Sequence, residues 1–187
     1  MLWAEELKVS IRYFSKHHID AIIERENDGK DWRFTGFNGH PETSRRKEGW
    51  KLITDLNRSY KFPWLCVGYY NEILTEDEKR GGNSRPGGQM KLFQEVVDEC
   101  NFQEVPFIGP KMTWCRGSGD DIIFERLDRG LANYEWMEMF GWLLEDHHMV
   151  STSDHLPLVF TISKYPTVEN RKKRDFKFDN IDRKSVV

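Results

Sequence analysis

The chain has 187 residues, a length that accommodates one domain and a short extension. Lys and Arg number 28 against 31 Asp and Glu, for a net charge of −3, and 38% of the residues are hydrophobic, enough for one modest core. No apolar run approaches the roughly 20 residues of a membrane helix, and the first ten residues lack the basic-then-apolar pattern of a signal peptide.

Cys66, Cys100 and Cys115 are odd in number and show no C-x-x-C spacing, which argues against a disulfide scaffold or zinc knuckle. A reducing compartment, nuclear or cytoplasmic, is therefore expected. From Lys164 to Val187 eight Lys and Arg face four acids, leaving 20 basic and 27 acidic residues in the first 163. An acidic body with a basic tail is not the footprint of a tight, metal-free DNA binder. It suits a surface that collects a divalent cation, or an ordinary solvated face.

In chain order, Leu7–Phe14 and Ile19–Arg25 read as strands with His17 and His18 in a hairpin between them. Trp32–Phe37 reads as a third strand. Thr43 or Ser44 is the expected cap of a helix whose face carries Trp50, Ile53 and Leu56. Pro63–Val67 is a short apolar run of the kind a buried strand takes. Gly81–Gly88 reads as a loop, followed by helical spacing at Phe93, Val96, Val97 and Cys100.

Beyond these, Met112–Cys115 and Ile122–Leu127 alternate as strands and Tyr134–Phe140 reads as a short helix. Trp142–Val150 and Leu158–Ile162 read as closing strands around Ser153-Asp154-His155. After Lys164 the apolar periodicity stops, which predicts a basic linker or tail over 164–187 and a domain over 1–163. Strands mixed with helices in this order argue for an α/β or α+β layered domain.

Chemistry concentrates at a few points. His155 is the residue type most easily poised as a base near neutral pH, and the adjacent Asp154 can hold a metal. Asp128, read as ending a strand at Phe124–Arg129, could orient the imidazole. It could equally form a salt bridge with Arg126 or Arg129. The Trp64–Val67 strand delivers Tyr69, Tyr70, Asn71 and Glu72 to a sheet edge, where sites tend to sit. Trp114 reads as a core aromatic.

Taken together, the motifs resemble the endonuclease/exonuclease/phosphatase superfamily, and more narrowly the apurinic-endonuclease-like domain of plant LINE (non-LTR) retrotransposons. They are Gly36-Phe37, Gly39-His40-Pro41-Glu42, Pro63–Gly68 with Asn71–Leu74, Gly81-Gly82, Gly109-Pro110, Thr113-Trp114, Glu125–Arg129 and Ser153–His155 with Pro157. The resemblance runs from about Leu2 to Ile162, and Phe176–Asp179 resembles the segment that leads to the reverse transcriptase.

The resemblance implies a two-sheet α/β sandwich and a Mg²⁺-dependent phosphodiesterase that nicks DNA by attack of water on phosphorus. It makes His155 the general base, Asp128 its partner and Asp154 a metal-side carboxylate. Asn71 would hold the phosphate or water, with Ser153 and Trp114 at the substrate. A hard cation suits this task because it takes oxygen ligands and neutralises phosphate charge.

The sequence departs from the family at two positions. Gly68-Tyr69-Tyr70-Asn71 stands where the family has Gly-Asp-x-Asn, so Tyr69 replaces a catalytic carboxylate, and Asn38 stands where the family usually has Tyr. The family's metal-binding Glu and first strands have no counterpart, since Leu7–Phe14 matches a later hairpin. An N-terminally truncated domain with an unpaired strand edge, prone to self-association, is expected. The leading expectation is an inactive retrotransposon-derived endonuclease-like domain. The alternatives are an active Mg²⁺-dependent endonuclease or phosphoesterase, and a non-catalytic binding module.

Overall fold

The computed structural model describes residue 5 and residues 7–25, 30–140, 142–148 and 153–163. The tail predicted over 164–187 lies outside the described residues, as do 149 and 150 of the predicted Trp142–Val150 strand.

The chain opens with a hairpin, β1 (Lys8–Phe14) and β2 (His18–Glu24), followed by β3 (Trp32–Asn38). Helix α1 (Arg46–Ser59) leads to β4 (Trp64–Tyr69), then to the short β5 (Lys79–Arg80) and helix α2 (Gly87–Glu99). Strands β6 (Phe102–Glu104), β7 (Phe107–Ile108), β8 (Trp114–Arg116), β9 (Ile123–Glu125) and β10 (Asp128–Asn133) follow. Helix α3 (Tyr134–Phe140) and strands β11 (Trp142–His147) and β12 (Leu158–Ser163) complete the described fold.

A six-stranded sheet in the order β1-β2-β3-β4-β10-β6 forms one layer. The expected second sheet is split into two three-stranded sheets, β5-β9-β8 and β12-β11-β7. A single antiparallel bridge between Trp114 and His155 joins β8 to the segment before β12. His155 therefore sits at the seam between the two halves of that layer.

Strand β4 explains why its sequence is continuously apolar. Trp64 and Cys66 point into a core with Trp50, Ile53 and Leu56 of α1 and Phe93 and Val96 of α2. Leu65 points to the other face, with Trp136 and Phe140 of α3. A strand covered on both faces has no polar side to alternate with. Burial pushes the thiols of Cys66 and Cys100 up to about 12, so both are inert packing groups. No helix among the described residues is long and apolar enough to cross a membrane.

Several boundaries differ from expectation. Thr43 and Ser44 cap no helix. They lie in a 3₁₀ turn, Thr43–Arg45, that runs directly into α1. The predicted Met112–Cys115 strand shifts to begin at Trp114, and Ile122–Leu127 shortens to β9. The larger correction concerns Asp128, which begins β10 instead of ending a strand. Backbone N–H groups at Leu127 and Asp128 both donate to Thr113 Oγ1, a side-chain interaction that interrupts the strand between β9 and β10.

Candidate active site

Three neighbouring strands, β3, β4 and β10, bring the site together. In the β4–β10 pairing Asp128 lies opposite Tyr69, and in the β3–β4 pairing Tyr69 lies beside Asn38. Asn38, Tyr69 and Asp128 thus form a row across three strands at the carboxyl end of β3 and β4. Asn38 itself is exposed, and its backbone carbonyl accepts a hydrogen bond from His17 Nδ1 at 3.0 Å.

Asp128 and His155 meet directly, with Nδ1 of the imidazole 2.9 Å from Asp128 Oδ2. The same oxygen accepts the Thr113 hydroxyl at 2.9 Å. Thr113 is fully buried and also ties down the histidine loop, because its carbonyl accepts Leu156 N–H at 2.8 Å. Two residues on, Cys115 N–H donates to the Asp154 carbonyl at 2.9 Å. The sequence places Thr113 in the Thr113-Trp114 motif but gives it no role of its own. Its only signal was a threonine beside Trp114 after Gly109-Pro110.

Burial pushes the Asp128 carboxyl above its ordinary value, and the hydrogen bonds from His155 and Thr113 act in the opposite direction. A carboxylate at Nδ1 fixes the proton on that nitrogen, leaving Nε2 as a lone-pair acceptor. Among the described residues Nε2 has no hydrogen-bond partner. The His155 side chain is 31% exposed, which sets the imidazole at the open rim of the site. The salt-bridge alternative for Asp128 is not realised. Arg129 pairs with Glu78 at 2.7 Å and also with Glu104, while Arg126 meets Glu104 at 3.3 Å.

Tyr69 stands against this dyad, its ring edge-on to His155 with centroids 4.7 Å apart. Burial, and after it the nearby Asp128 carboxylate, push the phenol above its ordinary value, so it is neutral at neutral pH. Tyr69 also packs against the Ile73, Met90 and Leu127 cluster. Glu72, three residues on, does not take its place. It is buried between Arg46, at 2.7 Å, and Arg85, at 3.2 Å.

Asn71 lies two residues beyond Tyr69 in a left-handed conformation, φ 61°, which asparagine tolerates better than most residues. Its amide donates to the Gly39 carbonyl at 2.8 Å, on the β3 side of the rim. Gly39 has to be glycine, because a Cβ there would meet the Tyr70 carbonyl at 2.7 Å. Trp114 is half-buried at the rim, not in the core, and its Nε1 donates to Asp154 Oδ2 at 3.1 Å. Ser153 Oγ accepts the His155 backbone N–H at 3.1 Å and shapes the loop.

The donor set among the described residues does not fit a magnesium ion. Among the described residues no three or more His, Cys, Asp and Glu side chains converge as a metal site. Asp128 Oδ2 is already shared by His155 and Thr113, and Asp154 Oδ2 by Trp114. A hard cation requires several oxygen ligands, and of Asp128 and Asp154 only Asp154 is exposed.

No family model and no curated protein matches the chain. Solved structures do. The endonuclease domain of TRAS1, a telomere-specific non-LTR retrotransposon, matches with a TM-score of 0.68 and 15% identity, over 86% of this chain and 71% of that one. Beta toxin from Staphylococcus aureus matches with a TM-score of 0.56 and 16% identity, over 79% of this chain and 57% of that one. An endonuclease/exonuclease/phosphatase family protein from Leptotrichia buccalis C-1013-b is 16% identical over 78% of this chain and 53% of its own, with a TM-score of 0.49. The chain spans little more than half the length of the last two. On the strength of the TRAS1 likeness, the chain has the mixed α/β endonuclease/exonuclease/phosphatase fold, the fold of a retrotransposon endonuclease domain.

Proposed function

We propose that the chain is a LINE retrotransposon-derived endonuclease-like domain whose hydrolytic site is inactive. The observation that carries this reading is Tyr69, a neutral phenol edge-on to His155 and opposite Asp128 in the sheet. In the family pattern that position belongs to a carboxylate beside the attacked phosphate. The family activity is Mg²⁺-dependent hydrolysis of DNA phosphodiester bonds, and the bound cation would neutralise charge on the scissile phosphate. Here the Asp128–His155 dyad supplies a base and its orienting partner, while the described residues give a cation Asp154 alone.

DNA is the partner this reading implies, in the acidic 1–163 domain and with the basic 164–187 segment as its tail. Self-association is supported by β1, which ends the six-stranded sheet and exposes Ile11, Tyr13 and Phe14.

The test is nicking of supercoiled plasmid in Mg²⁺. The 187-residue chain is expected to show none above background. Tyr69→Asp is expected to recover little, because it restores one group of a unit that acts together. Mg²⁺-dependent nicking by the unmodified chain, abolished in His155→Ala, would establish the active-endonuclease alternative instead.

A further inference from the structure

A cavity of about 290 Å³ opens where the 3₁₀ turn runs into α1, between that helix and α2. It is separate from the dyad, since Tyr69, Asp128 and His155 do not line it. Its wall is rich in unused hydrogen-bond donors. Trp50 of α1 is 6% exposed, and its Nε1–H meets no acceptor among the described residues. Arg46 is 8% exposed. Its terminal nitrogens reach Glu72 at 2.7 Å and the Pro41 carbonyl at 3.2 Å, while its Nε–H has no partner. Gln89 of α2 turns its Oε1 to Arg46 at 3.5 Å, which leaves the amide nitrogen as a donor. Thr43 and Ser44 add exposed hydroxyls, and Lys47 adds an exposed ammonium group.

The carboxylate in the wall, Glu72, is already occupied. Its Oε2 accepts Arg46, and its Oε1 accepts the Ile73 N–H at 3.1 Å and faces Arg85 Nε at 3.2 Å. Arg85 continues to Glu125 at 2.8 Å, which Lys79 also meets at 2.6 Å. With Lys47 included, four cations surround the two carboxylates Glu72 and Glu125. Glu42 and Glu48 lie outside the wall, and Glu48 pairs with Arg45 at 3.1 Å. Neither the 3₁₀ turn nor α1 begins with a side-chain cap, so the positive end of the helix dipole adds to the same field. This corner of an acidic domain is positive.

We propose that the cavity is an anion site that takes a phosphate group, either free or carried by a nucleic acid. Unpaired donors, a surplus of cations and an occupied carboxylate match an oxyanion whose oxygens accept hydrogen bonds. A cationic ligand would meet Arg46 and Lys47, and a neutral polar one would find no open carboxylate to donate to. The volume equals that of about ten waters, enough for a phosphate with part of its carrier. The inference stands apart from the hydrolytic reading, and its test involves no cleavage.

The full chain, labelled with ¹⁵N, is titrated with inorganic phosphate at constant ionic strength. The Trp50 indole N–H resonance is expected to shift saturably with phosphate and to stay in place with chloride. Lys47→Glu is expected to weaken phosphate binding about tenfold or more. Lys61→Glu makes the same charge change beyond the far end of α1, and is expected to leave affinity within about twofold. Trp50→Phe removes the donor and keeps a ring to stack on Phe93. Phosphate is expected to raise the Tm of wild type and not that of Trp50→Phe.

Two oligonucleotides that differ only in a 5′-phosphate separate the sources. Displacement of phosphate by the phosphorylated strand alone assigns the site to a strand end, by both strands to the backbone, and by neither to a free phosphate. The proposal is overturned by the lack of a saturable shift at Trp50, or by an equal loss of affinity in Lys47→Glu and Lys61→Glu. A Tm that rises with phosphate in Trp50→Phe as it does in wild type also overturns it. Should Trp50→Phe fail to fold, the wild-type titration and the two lysine variants decide.

Discussion

Two aspartates in adjoining parts of one sheet carry opposite designs. Asp20 of β2 is sealed. Its Oδ1 accepts Arg33 Nε and the Thr35 hydroxyl, each at 2.7 Å, and its Oδ2 accepts Arg33 Nη2 at 2.8 Å. The remaining donors close the network, with Arg33 Nη1 reaching the Leu56 carbonyl at 2.5 Å and Trp64 Nε1 reaching Thr35 at 2.8 Å. Asp128 of β10 is bound, among the described residues, through one oxygen. His155 and Thr113 share its Oδ2, and the His155 side chain is 31% exposed. A closed network holds strands together and can do nothing else. An open one leaves a base available, which separates a structural carboxylate from one suited to chemistry.

The largest test of this contrast is Asp20→Ala. It strands a guanidinium that is 1% exposed, and removing one partner of a buried pair costs about 3–5 kcal/mol. Urea unfolding at pH 7 is expected to show that loss. A loss under 1 kcal/mol would mean that the Asp20 network is no more closed than the dyad.

Asp128→Asn is expected to cost far less. The carboxamide oxygen can accept both hydrogen bonds, and the charge it removes is one that burial already disfavours. The pH dependence follows from the direction of that shift. Because the native carboxyl sits above its unfolded value of about 3.9, the folded state holds the proton more tightly. Its contribution to stability is present below that value and is lost as pH rises through the native value. Urea unfolding from pH 3.5 to 7 is expected to show this decline in wild type and its absence in Asp128→Asn. Equal slopes would contradict the burial argument.

Most strands and helices were legible because their periodicity reports burial directly, as in the Trp50, Ile53 and Leu56 face of α1 and the continuous run of β4. The short strands β5, β6 and β7 were not, since two or three residues hold no period. The start of β10 was missed because Thr113, a side chain from another segment, breaks the ladder before Asp128. At the site, motif order singled out Asp128, Tyr69 and His155, and the structure brings all three together. It could not reveal that Asn71 turns to Gly39 or that Trp114 reaches Asp154, because neither contact follows from spacing. Glu145 and His147 of β11, paired with side chains 0% exposed, gave no signal either, since a buried polar pair in a strand reads as an exposed face.

The smallest effect on stability is expected at Trp114, on the open side of the dyad. Trp114→Phe removes the Nε1–Asp154 hydrogen bond but keeps an aromatic ring against Ile73, Met90 and Leu127. The lost bond ends on an exposed carboxylate that water can solvate instead, so the change in unfolding free energy should stay within about 0.5 kcal/mol. Local order should respond more than global stability does. Asp154 is joined through its backbone carbonyl to Cys115 N–H, and with its side chain released the loop before His155 has one tether fewer. Hydrogen exchange at the His155 amide, which donates to Ser153 Oγ, is expected to speed up while exchange in β4 and β10 is unchanged. A stability loss above 2 kcal/mol, with slow exchange retained at His155, would show the reverse: a rim that bears the fold and a loop held by other contacts.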